Sequence, residues 1–211
     1  ELNVPPIKIA QKFSDVNGYG NIQYDMQGGN GIAYFTDKDL VIKLTTDESE
    51  YFTANKLVGD DNDYIVKVLE SARIKTSHSV GDLFVIVQES LPMTKEMEQT
   101  WAECCCGIKA PIHIDYLKEP ALVLPPVSEQ EKCIPIYDDI VSIQKNFGKY
   151  GIVWSDIGID NLGIKNGHLA VIDLGETKGG EMKGEEMVLN LENIKVRPLT
   201  EKHIRKQLQL V

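Results

Sequence analysis

The sequence predicts an α+β chain of two lobes, strand-rich with one helix over residues 1–91 and mainly helical over residues 92–211. Three observations predict it. Short runs of branched and aromatic residues alternate with turn residues through the first lobe. One helix-start signal interrupts them, and at Leu91-Pro92 the strand character stops.

Asn21 to Gln27 alternates in character and runs into a turn at Gly28-Gly29-Asn30-Gly31. Ile32 to Phe35 follows as a short strand, then the polar turn Thr36 to Asp39, then the branched run Leu40 to Leu44. Together these read as a hairpin with a glycine turn at its mouth, extended by a further strand. A helix starts at Thr46-Asp47, with Glu48 and Glu50 in its first turn, Tyr51, Ala54, Leu57 and Val58 at three- and four-residue spacing, and Gly59 as its stop. Ile65 to Ile74 and Leu83 to Gln88 are two more strands, with His78 to Asp82 as the turn between them. The first lobe as a whole reads as mostly strand.

In the second lobe Lys95 to Cys106 reads as helical. Ala110 to Pro135, with five prolines, reads as a connection. Ile136 to Tyr150 has helical periodicity in Ile140, Ile143 and Phe147 and closes at Gly151. Ile152 to Asp173 reads as a strand, a polar turn and a short hairpin about Asn166-Gly167, a pair that supplies the two positive φ angles of a tight hairpin turn. A terminal helix is expected from about Thr200, its basic residues Lys202, His203, Arg205 and Lys206 lying on a solvated face.

Composition narrows the functions. The 211 residues carry 22 Lys plus Arg against 32 Asp plus Glu, a formal charge of −10. That balance opposes sequence-independent binding to nucleic acid, which needs cations against phosphate, and suits an anionic membrane surface poorly. No apolar run approaches the roughly 20 residues that span a bilayer, and Glu1 to Phe13 has no secretory signal pattern. Cys104, Cys105 and Cys106 are consecutive and Cys133 stands apart, with no CxxC pair for zinc. Reduced thiols and a cytoplasmic location are the expectation.

The residues that carry chemistry lie late in the chain. Asp156 is followed by Asn161 five residues on, and Asp173-Leu174-Gly175 comes after a short hairpin. Two carboxylates and a carboxamide around one point are what phosphoryl transfer needs: one carboxylate to align a hydroxyl and take its proton, the other two groups to hold Mg²⁺ against phosphates. In order and spacing these residues resemble the catalytic and metal-binding loops of the protein kinases.

The resemblance implies a protein kinase-like two-lobed fold with a truncated C-terminal lobe. It makes Asp156 the catalytic aspartate, and Asn161 and Asp173 the Mg²⁺ ligands. In the first lobe, Lys43 resembles the lysine that grips the α- and β-phosphates of ATP, and Glu50 the helix glutamate that holds it, with Glu48 on the same turn as the alternative. Gly28, Gly29 and Gly31 match part of the glycine loop over the phosphates. Gln88 takes the gatekeeper position, and the backbone of Glu89 and Leu91 is the expected contact for adenine.

Three departures accompany the match. Trp154-Ser155 replaces the usual His-Arg before the aspartate. Gly158 stands where serine/threonine kinases carry a lysine that neutralises the transferred phosphoryl, for which Lys165 and Lys178 are the nearby substitutes. Only 36 residues follow Gly175, with no APE motif, so the resemblance is to a minimal, bacterial or bacteriophage-type serine/threonine kinase. The implied activity is ATP- and Mg²⁺-dependent transfer to a protein hydroxyl. The alternatives are a small-molecule kinase of aminoglycoside or choline kinase type, and a pseudokinase that binds nucleotide or protein without turnover. The expected partner is a phosphate-acceptor protein or small molecule.

Overall fold

The computed structural model describes residues 4–75, 82–104, 123–124, 133–154, 156–175, 177–178 and 197–198. The chain opens with a helix that the strand-rich reading passed over, α1 (Pro6–Asn17). Pro6 enters it at the first helical turn, where its missing N–H is no loss, and Gly18 ends it at φ 74°, a left-handed conformation that glycine adopts without strain. Its fully buried positions are Ala10 and Ser14, flanked by the partly buried Ile9 and Phe13, which give the helix an apolar face toward the sheet.

Five strands then form one antiparallel sheet: β1 (Ile22–Gln27), β2 (Gly31–Thr36), β3 (Leu40–Thr45), β4 (Val68–Ile74) and β5 (Leu83–Glu89), in spatial order β1-β2-β3-β5-β4. Between β3 and β4 runs α2 (Glu48–Leu57). Its start is fixed as expected: the Asp47 carboxylate accepts from the N–H groups of Ser49 (2.8 Å) and Glu50 (3.3 Å).

Period-two alternation sorts the sheet residues between two faces. Ile42 and Leu44 of β3, Tyr34 of β2, and Val85 and Val87 of β5 pack under Ala10, Ile9 and Phe13 of α1. Each such buried branched side chain contributes roughly 1.5–3 kcal/mol relative to exposure. The opposite face carries Val41, Lys43 and Ile86 toward α2 and the rest of the chain. Register makes this explicit, because Lys43 lies between Ala33 of β2 and Ile86 of β5.

The second half supplies α3 (Lys95–Cys104), α4 (Ile134–Gly148) and a set of short strands. These are β6 (Val123–Leu124), β7 (Val153–Trp154), β8 (Leu162–Lys165), β9 (His168–Val171), β10 (Thr177–Lys178) and β11 (Arg197–Pro198). β8 and β9 form the expected hairpin, with Asn166 at φ 51° and Gly167 at φ 87°. β10 pairs with β7, and β11 pairs in parallel with β6. Most of the 110–135 connection, residues 78–81 of the turn before β5, residues 105–106 of the α3 reading and the helix expected from Thr200 lie outside the described residues.

One core cluster joins the halves. Ala54 and Leu57 of α2, Val68 of β4 and Ile86 of β5 pack with Ile140, Ile143 and Phe147 of α4, and with Trp154, Leu162, Val171 and Leu174. Backbone bonds add to it: the Val66 N–H donates to the Val171 carbonyl at 2.8 Å, and the Val171 N–H to that of Tyr64 at 3.1 Å. The expectation of reduced cysteines is corrected here. Cys104 at the end of α3 and Cys133 before α4 form a disulfide across 29 residues of sequence, both buried. Spacing rules look for local pairs and cannot see two helix ends brought together by packing. Among the described residues no helix is long and apolar enough to cross a membrane.

Candidate functional site

Lys43 is the residue on which the two halves meet. As an interior residue of β3 it projects from the α2 face of the sheet, and its ammonium lies 2.5 Å from Glu50 Oε1 and 3.0 Å from Asp173 Oδ1. Glu50 stands in the first turn of α2, three residues after the Asp47 cap, so the cap that starts the helix also aims the carboxylate. Asp173 comes from the other half, just beyond the β8–β9 hairpin.

Two carboxylates share one cation here, and burial decides between them. Glu50 is only 2% exposed. Desolvation pushes its carboxyl up to about 7, against the pull of Lys43 and with the added push of Asp173. Burial by itself would lower the Lys43 ammonium; the charges of Glu50 and then Asp173 outweigh it and hold the ammonium above its ordinary value.

Asn161 and Asp173 are brought together by the hairpin. Leu162 pairs with Val171, and the Ile172 N–H donates to the Asn161 carbonyl at 2.9 Å, so the two residues flank the open end of the ladder. The Asn161 side-chain Nδ2 donates to the Asp156 carbonyl at 3.0 Å. The Gly158 N–H donates to that same carbonyl at 2.9 Å. The Asp156–Asn161 turn is therefore closed on itself, and the amide bond leaves Asn161 Oδ1 as the remaining side-chain acceptor. Asp173 Oδ1 is engaged by Lys43 and by the Gly175 N–H at 3.0 Å, and neither bond uses Oδ2. One carboxylate and one carboxamide oxygen suit Mg²⁺, which takes one or two protein carboxylates and completes its shell with water and phosphate oxygens.

The glycine turn is closed by its own backbone. The Gly28 N–H donates to the Gly31 carbonyl at 2.8 Å, leaving Gly29 and Asn30 as the tip. The Asn30 carbonyl accepts from the Thr46 N–H at 3.1 Å and the Thr45 hydroxyl at 3.2 Å, which pins the tip to the β3–α2 junction. Glycine is required at 31 because a Cβ there would sit 2.3 Å from the Leu44 carbonyl oxygen. Of the three glycines named from sequence, Gly28 thus spends its N–H inside the turn.

At the exit of β5 the Glu89 N–H is committed to the Lys67 carbonyl at 3.1 Å, and Leu91 packs against Gly163 of β8. Gln88 is buried and donates through Nε2 to the Ile172 carbonyl at 2.8 Å, one residue before Asp173. Lys165 is not the substitute cation for position 158: its ammonium is bound to Glu89 (2.7 Å) and Asp61 (2.9 Å). The side chain of Lys178 lies outside the described residues. Gly158 has extended backbone (φ −135°, ψ 152°), and a Cβ there would meet only Asn161 Nδ2 at 3.8 Å.

Sequence reasoning missed the Gln88 and Lys165 contacts. Each joins residues more than 70 positions apart, and no local pattern marks them.

No protein-family model and no curated protein matches this sequence. Among solved structures, the MAP kinase LmaMPK10 from Leishmania major is similar over 79% of this chain and 50% of its own, at 10% identity and a TM-score of 0.45. The present chain therefore spans about half of that kinase.

Proposed function

We propose that this protein is an ATP- and Mg²⁺-dependent phosphotransferase acting on a hydroxyl group, with a protein serine or threonine as the leading acceptor. The carrying observation is the Lys43 ammonium held between Glu50 and Asp173, which unites the two halves at one point. Lys43, fixed by Glu50, binds the α- and β-phosphates. Asp156, on a turn closed by Asn161, orients the acceptor hydroxyl and takes its proton. Asn161 and Asp173 hold the metal, which when bound neutralises charge on the transferring phosphoryl. The glycine turn at residues 28–31 lies over the phosphates with Gly29 and Asn30 at its tip, the Gly28 N–H being kept for the Gly31 carbonyl, and the backbone of Glu89 and Leu91 reads the adenine. A cytoplasmic setting accompanies this reading; the Cys104–Cys133 disulfide is the observation that opposes it.

A second reading, a nucleotide-binding pseudokinase, is favoured by one specific feature: Gly158 puts no cation beside the acceptor turn. One experiment separates the two. Purified protein is incubated with γ-labelled ATP and Mg²⁺, as wild type, Asp156→Asn and Asp173→Ala. Mg²⁺-dependent transfer that vanishes in both variants supports the enzyme. Stabilisation by MgATP without transfer supports the pseudokinase, since a ligand bound only by the native state raises its melting temperature. Neither transfer nor stabilisation overturns both.

A further inference from the structure

Three consecutive residues of β8 grip the segment that leaves β5. At Gly163 the chains touch so closely that a Cβ would lie 2.4 Å from the Leu91 carbonyl oxygen and 2.7 Å from Leu91 Cβ. The Ile164 N–H donates to the Pro92 carbonyl at 3.1 Å. Lys165 reaches back to Glu89 Oε1 at 2.7 Å, with Asp61 Oδ1 at 2.9 Å on its other side. That same Glu89 oxygen accepts the Lys67 N–H at 2.7 Å. The Lys165 side chain is 8% exposed, deeper than either carboxylate it pairs with.

A buried ammonium is held in place only while its partners stay put, and they are held in turn. Removing it leaves the half-buried Glu89 carboxylate without its cation and takes away one of the three holds that β8 has on residues 89–92, the Gly163 contact and the Ile164–Pro92 bond remaining.

We infer that Lys165 is a positioning residue for the base-binding edge of the proposed nucleotide site, fixing the backbone of Glu89 and Leu91 where a purine is to be read. The inference rests on the nucleotide reading above and assigns Lys165 a part in it separate from Lys43: one lysine serves the phosphates, the other the base. Two ligands divide these parts. Adenosine has the base without phosphates, and MgATP has both.

Titration calorimetry of the full chain with each ligand tests the inference. Lys165→Met is expected to weaken adenosine and MgATP by the same factor, about tenfold, and Lys165→Arg to recover most of the loss. Lys43→Met is expected to weaken MgATP and leave adenosine unchanged. In the ligand-free protein, amide hydrogen exchange at Ser90 and Leu91 is expected to quicken in Lys165→Met and return toward wild type in Lys165→Arg. Should Lys165→Met fail to fold, Glu89→Gln carries the same expectation, because it keeps an acceptor for the Lys67 N–H and removes the charge. Wild-type adenosine affinity and unaltered exchange in a folded variant would overturn the role of Lys165 while leaving the nucleotide reading intact. A wild-type protein that binds neither ligand overturns the nucleotide reading, and the role of Lys165 falls with it.

Discussion

Two lysines in this molecule, one from each half, sit between two carboxylates and bridge the halves. Lys43 joins Glu50 and Asp173; Lys165 joins Glu89 and Asp61. The distances are alike and the surroundings are opposite. Glu50 is buried, and its carboxyl is pushed up to about 7 by desolvation. Asp61 is open to water, and its carboxyl is held down to about 2 by hydrogen bonds from Lys67 and Lys165. Beside Lys43 lie a glycine turn, an Asx-closed loop and an oxygen of Asp173 outside the ion pair. Among the described residues, the tether to residues 89–92 and the turn at Asn166 lie beside Lys165. On the function proposed above, a lysine between carboxylates is a chemical site in one setting and a fastening in the other. The neighbours decide which, and the pair itself does not.

The largest effect should come from breaking the first cluster. Lys43→Met is expected to cut MgATP-dependent transfer by about 10²- to 10³-fold while the protein still melts cooperatively. A variant that retains a tenth of wild-type turnover would place the phosphate grip elsewhere.

Next comes pH. Glu50 holds its proton more tightly in the folded state (about 7) than in the unfolded chain (4.5). Between those values the native form binds more protons, so this group's contribution to stability falls as pH rises from about 4.5 through about 7. Glu50→Gln should remove that component from urea-unfolding free energies measured across the window. An unchanged profile would mean that Glu50 stays ionised beside Lys43.

Gly158→Lys sharpens the contrast by adding a cation at a position that carries none. The extended backbone suits any residue, and a Cβ there would meet only Asn161 Nδ2, at 3.8 Å. Transfer should rise several-fold to about tenfold if charge on the phosphoryl group limits the rate. No gain in a folded variant would show that another group already serves there.

The smallest effect is expected at the rim of the second cluster. Lys67 and Asp61 form a surface pair at 2.7 Å, and such pairs contribute little. Lys67→Met should move the melting midpoint by no more than about 2 °C. A larger drop would make the second cluster a cooperative network.

Much of the fold was legible because its signals are local. Asp47 caps α2, Asn166-Gly167 turns the β8–β9 hairpin, and the branched run around Lys43 is a central strand; each is written within a few residues of where it acts. The candidate site was legible for a related reason. Asp156, Asn161 and Asp173 fall within 18 consecutive residues; one short hairpin brings Asn161 to Asp173, with Asp156 in the turn before it, and one strand-to-helix step brings Lys43 to Glu50. The first helix was carried by equally local signals, Pro6 and Gly18. Its apolar residues Ile9, Ala10 and Phe13 also stand at helical spacing, so the segment was legible and the strand-rich reading missed it.

Only the tertiary structure decided the remainder. The approach of Lys43 to Asp173 spans 130 residues, that of Gln88 to Ile172 84, and the Cys104–Cys133 bond 29. By itself the sequence determined which side chains can bear charge, turn a chain or fill a core, because those properties belong to single residues and their near neighbours. Which lysine meets which carboxylate, and how much water reaches the pair, was set by the packing of α2 and the β8–β9 hairpin against the sheet. Burial and distance are properties of that packing, and they separate a buried Glu50 from an open Asp61 although both are carboxylates beside a lysine.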